Sequence, residues 1–272
     1  MVDNHAAGLL SKDLGCCDMT RILYQIPGDM TASPLGAAEL RRREKILNEW
    51  AAPGVTVQVA DSPGGPLSIE STAEEFLCVG SMLSALSSRD DVPDAVILGC
   101  FGDPGLAALR ETFDYPVIGP LESSFHLAAQ LGQRVGIVTV LDSLEPLMTT
   151  LVRSMGETTN YAGCAAVDIP VLELRKQPQM LVERAVGAAR PLVKEKGADA
   201  IVLGCMSMSF LDLAAPISDE LGIPVVNPAR CALKTAEVWV SLGLLQSRRA
   251  YPKPRKALRG LGARAGHHIA SQ

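Results

Sequence analysis

Asp94-Ala95-Val96-Ile97-Leu98-Gly99-Cys100 recurs as Asp199-Ala200-Ile201-Val202-Leu203-Gly204-Cys205, with only the central valine and isoleucine exchanged. A run this short, β-branched at its centre, reads as a strand buried on both faces, and the glycine marks where the chain leaves the sheet. Each cysteine is thereby expected at the carboxyl end of a central strand. Ligands of open α/β sheets bind in the crevice outside those ends, so two such cysteines point to one shared cleft.

The flanking sequence repeats on the same scale. Before Cys100 the pattern predicts a strand at Arg21–Ile26, a helix over Leu40–Trp50 and a strand at Val55–Val59. Ser71-Thr72-Ala73-Glu74 has the form of a capping box opening a helix to about Leu86. After Cys100 come a Gly-Asp-Pro-Gly turn at 102–105, a short helix to Glu111 and a strand at Tyr115–Gly119. The series restarts with a strand at Arg134–Thr139, a helix over Leu144–Met155, a strand from Ala165 to Ile169 and a helix from Met180 to Lys194. Ile223-Pro224-Val225-Val226-Asn227-Pro228 then echoes Tyr115-Pro116-Val117-Ile118-Gly119-Pro120. Alternating strands and helices imply parallel sheets with right-handed crossovers. The expected fold is α/β, two similar Rossmann-like lobes made by internal duplication, with an active site in the cleft between them. Lobe 1 is read as 19–120, lobe 2 as 121–228, and a helix within 229–250 is expected to complete lobe 1. Residues 1–18, which include Cys16 and Cys17, read as a flexible leader, and 251–272 as a loose tail.

Composition narrows the function. Of 272 residues 47% are hydrophobic, enough for a substantial core, yet no apolar run approaches the roughly 20 residues of a membrane span. A net charge of −5 without a basic stripe argues against nucleic acid as a partner. The first 18 residues lack the pattern of a secretory signal, so the seven cysteines are expected as thiols in a reducing cytoplasm. No Cys-x-x-Cys pair is present, and no metal site is expected.

Two thiols facing a bound molecule from opposite sides suit inversion at carbon. One thiolate removes a proton from one face of a stereocentre while the opposite thiol protonates the other, and no cofactor is required. A helix N-terminus at each cysteine is expected to lower its pKa from about 8.5. Turn amides of Phe101, Gly102, Met206 and Ser207 are expected to stabilise charge growing on a substrate carbonyl. Free cysteine is also among the most often buried residues. Against that reading, the cysteines at 16, 17, 78, 164 and 231 fall at non-equivalent places, whereas Cys100 and Cys205 recur in matching context.

The chain resembles the aspartate/glutamate racemase superfamily, and within it the hydantoin and allantoin racemase branch, from about Met19 to Lys253. The resemblance rests on Gly99-Cys100-Phe101-Gly102-Asp103-Pro104-Gly105-Leu106, on Leu203-Gly204-Cys205, and on Gly243-Leu244, Ser247 and Tyr251-Pro252. Ser68-Ile69-Glu70-Ser71 and Gly119-Pro120-Leu121-Glu122 also resemble family positions. It implies cofactor-independent racemisation at the 5-carbon of a cyclic ureide, with Cys100 serving the D-enantiomer and Cys205 the L-enantiomer, in a homo-oligomer. Two stretches depart from the hydantoin racemase pattern. Gln25-Ile26-Pro27-Gly28-Asp29-Met30-Thr31 stands where Asn-Pro-Asn-Thr is usual, and Met206-Ser207-Met208 where small residues are usual.

Other candidates carry two readings each. Thr139 and Gln25, taken as equivalent strand ends, either contact a ligand or serve local structure, and Asn227 either lines the cleft or makes a turn. Gly99, Gly102 and Gly204 satisfy backbone geometry and allow close approach of a ligand. The loops 25–31, 99–105, 139–143 and 204–209 contain no Lys or Arg, which favours a neutral ring over a dicarboxylate. Amino-acid racemisation, maleate-type cis–trans isomerisation and ligand binding without turnover are the competing functions.

Overall fold

Two parallel four-stranded sheets form the frame of the computed structural model, which describes residues 19–256 apart from Gln177. The expected leader, its two cysteines and the tail beyond residue 256 lie outside the described residues. The first half runs β1 (Thr20–Gln25), α1 (Gly36–Trp50), β2 (Val55–Ala60), α2 (Thr72–Ser87), β3 (Ala95–Leu98), α3 (Leu106–Thr112), β4 (Val117–Ile118) and α4 (Pro120–Leu131). The second runs β5 (Val135–Thr139), α5 (Glu145–Ser154), β6 (Tyr161–Ala166), α6 (Pro178–Lys194), β7 (Ala200–Leu203), α7 (Met206–Ser209), α8 (Ala214–Leu221), β8 (Val225–Val226) and α9 (Pro228–Ser241). Strand orders are β2-β1-β3-β4 and β6-β5-β7-β8, the same pattern in both sheets.

This order makes β3 and β7 central, and the repeated Ala, Val, Ile and Leu residues have no exposed surface in either strand. Full burial on both faces explains why these strands carry no polar alternation. Each order also reverses direction beside its first strand, between β1 and β3 and between β5 and β7, the switch point at which α/β sheets open a crevice. The cysteines follow β3 and β7 directly.

Helix starts are written locally. Ser71 caps α2, accepting from Glu74 N at 3.3 Å, while Glu74 Oε2 accepts from Glu70 N at 2.8 Å and from the Ser71 hydroxyl at 2.9 Å. Proline opens both α4 and α9, where its missing N–H goes unneeded. The Asp103 carboxylate accepts from Leu121 N at 3.0 Å and Glu122 N at 2.9 Å at the start of α4. These two helices cross over: α4 packs on β5, β7 and β8, α9 packs on β3 and β4, and the pair lie against each other. A hydrophobic cluster containing Ile22, Ile97, Val135, Val202, Phe125 and Ala232 therefore runs through both sheets.

Two elements differ from expectation. The second strand of the second half occupies Tyr161–Ala166, displaced from 165–169. Val167 N and Ile169 N still bond to Thr139 O and Val140 O, both at 3.0 Å, but Asp168 between them adopts φ 57° and ends the pleat. The short helix α8 was not expected from the sequence; it starts at Ala214-Ala215-Pro216, just after the Phe210-Leu211-Asp212 turn. Among the described residues no helix is long and apolar enough to cross a membrane.

The glycine before each cysteine is fixed by space. A Cβ on Gly99 would sit 2.9 Å from Gln25 O and Ile26 Cα, and one on Gly204 2.8 Å from Ile137 Cγ2 and 3.1 Å from Val138 O. Gly99→Ala and Gly204→Ala are each expected to cost about 1–3 kcal/mol of stability, read as a lower urea midpoint with an unchanged slope; wild-type midpoints in both would show that the strand exits relax freely.

Candidate active site

A narrow cavity of about 80 Å³ opens where the four strand exits converge, and both Cys100 and Cys205 line it. Ile26 and Met30 enter after β1, Gly99 to Gly102 after β3, Val140 and Leu144 after β5, and Gly204 to Ser207 after β7. Of the eleven residues singled out in the sequence, Cys100, Cys205, Gly99, Phe101, Gly102, Gly204, Met206 and Ser207 meet here.

Gln25, Thr139 and Asn227 do not. The Gln25 amide is buried and donates to Asp61 O and Ser62 Oγ, both at 2.9 Å, holding the β1 and β2 exits together. Thr139 is fully buried, and its hydroxyl donates to Gly204 O at 3.4 Å. The sheet register also corrects the pairing of these two: Gln25 opposes Leu98, and its counterpart opposing Leu203 is Val138. Asn227 caps α9 through Arg230 N at 3.1 Å and donates to Ser209 O at 2.9 Å. It borders a separate groove of about 860 Å³ along α4 and α9, away from the cysteines.

The thiols sit differently from expectation. Cys205 is the N-cap of the four-residue α7, but Cys100 enters a turn, with α3 starting only at Leu106. Burial pushes both thiols up; for Cys100 the Glu75 carboxylate adds to that rise. Backbone N–H groups act in the opposite sense, from Gly102 toward the Cys100 sulfur and from Ser207 and Met208 toward the Cys205 sulfur. Two of the amides expected to face a carbonyl, those of Gly102 and Ser207, are thus directed at sulfur.

Sequence reasoning missed the charged side chains of the cavity because they arrive from helices. Arg43 of α1 lines it, correcting the expectation of a cleft without cations drawn from the loops alone. Its Nε bonds Glu39 Oε1 and its Nη2 bonds Ser207 Oγ, both at 2.9 Å. Ser207 Oγ therefore accepts from Arg43, and its own hydroxyl is directed at the Cys205 sulfur, where it acts against the rise that burial causes. The signal was available: Glu39, Arg43 and Leu47 follow one helical face, and all three are buried. Glu75 of α2 also lines the cavity.

Glu39 joins the two halves. It pairs with Arg42 and Arg43 from its own helix and, at 2.5 Å, with Arg175 from the 3₁₀ turn Val171–Lys176 that precedes α6. Arg42 also donates to Phe210 O at 2.9 Å, and Glu70 accepts from Val171 N at 2.9 Å. Burial pushes the Glu39 carboxyl up, but hydrogen bonds and charge from Arg42 and Arg43 outweigh it and hold the group at about 2.

A duplicated two-lobed α/β protein whose switch points bring two strand-end thiols to one cavity is the class this geometry defines. The same architecture occurs in the allantoin racemase from Klebsiella pneumoniae, 32% identical with a TM-score of 0.78 over 89% of this chain and 96% of that one. Glutamate racemase RacE1 from Bacillus anthracis shares the fold at 20% identity and a TM-score of 0.56, over 84% of each chain. A hydantoin racemase from Paenarthrobacter aurescens is 34% identical over 237 residues, 86% of this chain and 97% of that protein. The Asp/Glu/hydantoin racemase model matches residues 36–236, and the chain belongs to that family. It is a racemase, an isomerase.

Removing the shared acid should be costly. Glu39→Ala leaves Arg43 buried without its anion and is expected to lose about 3–5 kcal/mol. Because the folded carboxyl titrates at about 2 against an ordinary 4.5, its contribution is full above pH 4.5 and is lost as pH falls toward 2. Urea melts of wild type and Glu39→Gln should therefore differ most at neutral pH and converge on acidification; a gap that widens in acid would contradict this assignment.

Proposed function

We propose that the chain inverts the 5-carbon of a hydantoin-type ring, a 5-substituted hydantoin or allantoin, with Cys100 and Cys205 as its two acid–base groups. The observation that carries this is the convergence of both strand-end thiols on one cavity from equivalent places in the two sheets. In each turnover one thiolate takes the hydrogen from C5 as a proton, and the C–H electron pair moves into the adjacent ring carbonyl. The opposite S–H then protonates the other face of C5, which restores the carbonyl. The enzyme is left with thiol and thiolate exchanged, ready for the mirror-image substrate.

The substrate class is supported by relatives named hydantoin racemase and allantoin racemase at 34% and 32% identity, and by the wall of the cavity. Ile26, Met30, Phe101, Val140, Met148 and Met206 make it largely apolar, and the guanidinium that lines it, Arg43, is engaged by Glu39 and Ser207.

The proposal places the enzyme in the cytoplasm, where both thiols stay reduced; the described cysteines at 78, 100, 164, 205 and 231 are free. It takes 19–120 and 121–228 as the lobes, with α9 from the 229–250 region closing the first, as its packing on β3 and β4 supports. A homo-oligomer completes the reading. Leu127, Leu131, Val238, Leu242, Leu244 and Leu245 expose apolar surface along α4, α9 and the segment after α9, the kind of face that a second copy covers. Light scattering should give a mass above one chain, and Leu242→Glu should lower it; a monomer at all concentrations would remove this part.

In deuterium oxide, wild type should introduce deuterium at C5 of both enantiomers of a 5-substituted hydantoin while optical rotation decays. Cys100→Ser and Cys205→Ser should each lose racemisation by at least about a thousandfold, as expected when a general acid or base is removed. Full activity in either variant would falsify the two-base scheme. Since burial raises both thiols, the thiolate fraction grows only toward alkaline pH, and kcat should climb with pH above neutrality. A flat profile from pH 7 to about 9 would speak against a thiolate base.

A further inference from the structure

The cavity holds one acidic side chain that neither the fold nor the proton transfer accounts for. Glu74 and Glu75 are neighbours in the first turn of α2, but only Glu74 serves the helix end, through Ser71 and Glu70 N. Glu75 turns toward the cysteines and lines their cavity. Its Oε1 lies so close to the Cys100 turn that a Cβ on Gly102 would collide with it. The absence of a side chain at Gly102 leaves the space that the carboxyl occupies. Among the described residues no hydrogen-bond donor or cation meets this carboxyl, and the cavity's arginine is engaged by Glu39 and Ser207.

We propose that Glu75 is the group that grips the ring, its carboxyl pairing with an N–H/C=O edge of a neutral cyclic ureide held beside Cys100. This rests on the hydantoin-type reading above and names a residue that sets its specificity. A protonated carboxyl offers one donor and one acceptor side by side. A ring amide edge offers the complementary acceptor and donor, so two hydrogen bonds form without transfer of charge. An unmet carboxyl in apolar surroundings is costly, and a ligand that supplies both partners removes that cost. A free carboxylate substrate would instead set two acids against one another.

Burial pushes the Glu75 carboxyl up to about 7, so the neutral form is well populated near neutrality. The sign follows: the gripping form is present at lower pH and is lost as pH rises through about 7. Glu75 also bears on the thiol beside it, because its ionised form raises Cys100 further.

The test compares Glu75→Gln and Glu75→Leu with wild type on a 5-substituted hydantoin at pH 6 and pH 8. A glutamine amide keeps one donor and one acceptor but does not titrate, while leucine keeps neither. Wild-type KM should rise several-fold between the two pH values, Glu75→Gln should hold a nearly constant KM, and Glu75→Leu should raise KM tenfold or more at pH 6 with a smaller change in kcat. Leucine replaces an unpaired acid, so its melting temperature should equal or exceed the wild-type value, which separates lost binding from lost folding. In Glu75→Gln, alkylation of Cys100 by iodoacetamide, followed in a Cys205→Ser background, should begin at lower pH. A KM in Glu75→Leu within twofold of wild type, or a Glu75→Gln KM that tracks the wild-type pH profile, would overturn the assignment. Failure of the parent reading is distinguishable, since wild type itself would then leave the C5 hydrogen unexchanged, and the Glu75 assignment would fall with it.

Discussion

Everything at the cavity depends on how closely two strand ends approach their neighbours. Gly99 N donates to Gln25 O and Gly204 N to Val138 O, both at 2.7 Å, and each glycine lies where a side chain would strike the adjacent strand. That contact lets the chain turn immediately after four fully buried residues and carry a sulfur into the crevice. Gln25 and Thr139, polar residues one step apart in register, stabilise the two exits. Gln25 ties β1 to the loop after β2, and Thr139 bonds the carbonyl of Gly204. Their polarity supports the frame around the cavity; its surface is made by their neighbours Ile26 and Val140.

This division explains which parts of the molecule could be read from the chain. Strand-end residues were legible because β3 and β7 are buried on both faces and therefore carry an unbroken apolar signature in duplicate. The turn residues that follow came with them. Side chains reaching the cavity from helices were not legible, because Arg43 and Glu75 sit among ordinary helical charges, and only tertiary packing shows that their faces point inward. The edge strand β6 was displaced in the reading for a related reason. Its Tyr-Ala-Gly-Cys-Ala-Ala sequence has little β-branched character, while the more strand-like residues after it are broken by Asp168 in the left-handed region.

Charge is organised to hold the halves as well as to shape the cavity. Glu39 bonds arginines from α1 and from the turn before α6, so the acid that fixes Arg43 behind Ser207 also links elements of both halves. A change at this cluster acts on stability and on the polarity of Ser207 together. The exchange of α4 and α9 between the sheets works in the same direction, since each half contributes a helix to the other's core.

On the proposed mechanism the burial of the thiols has two opposing consequences. It reduces the fraction present as thiolate, which slows reaction at neutral pH, but it makes each thiolate a stronger base toward a weakly acidic C–H. Proton transfer from carbon gains from that narrowing of the gap between donor and acceptor. The N–H groups of Gly102, Ser207 and Met208 temper the first consequence by stabilising charge on sulfur. Racemisation asks for two such bases in comparable settings, because the thiol that donates in one direction must accept in the other. A duplicated lobe supplies that near-equivalence from its topology. The differences between the halves, Glu75 beside Cys100 and Arg43 behind Ser207 near Cys205, then remain free to orient an asymmetric ring.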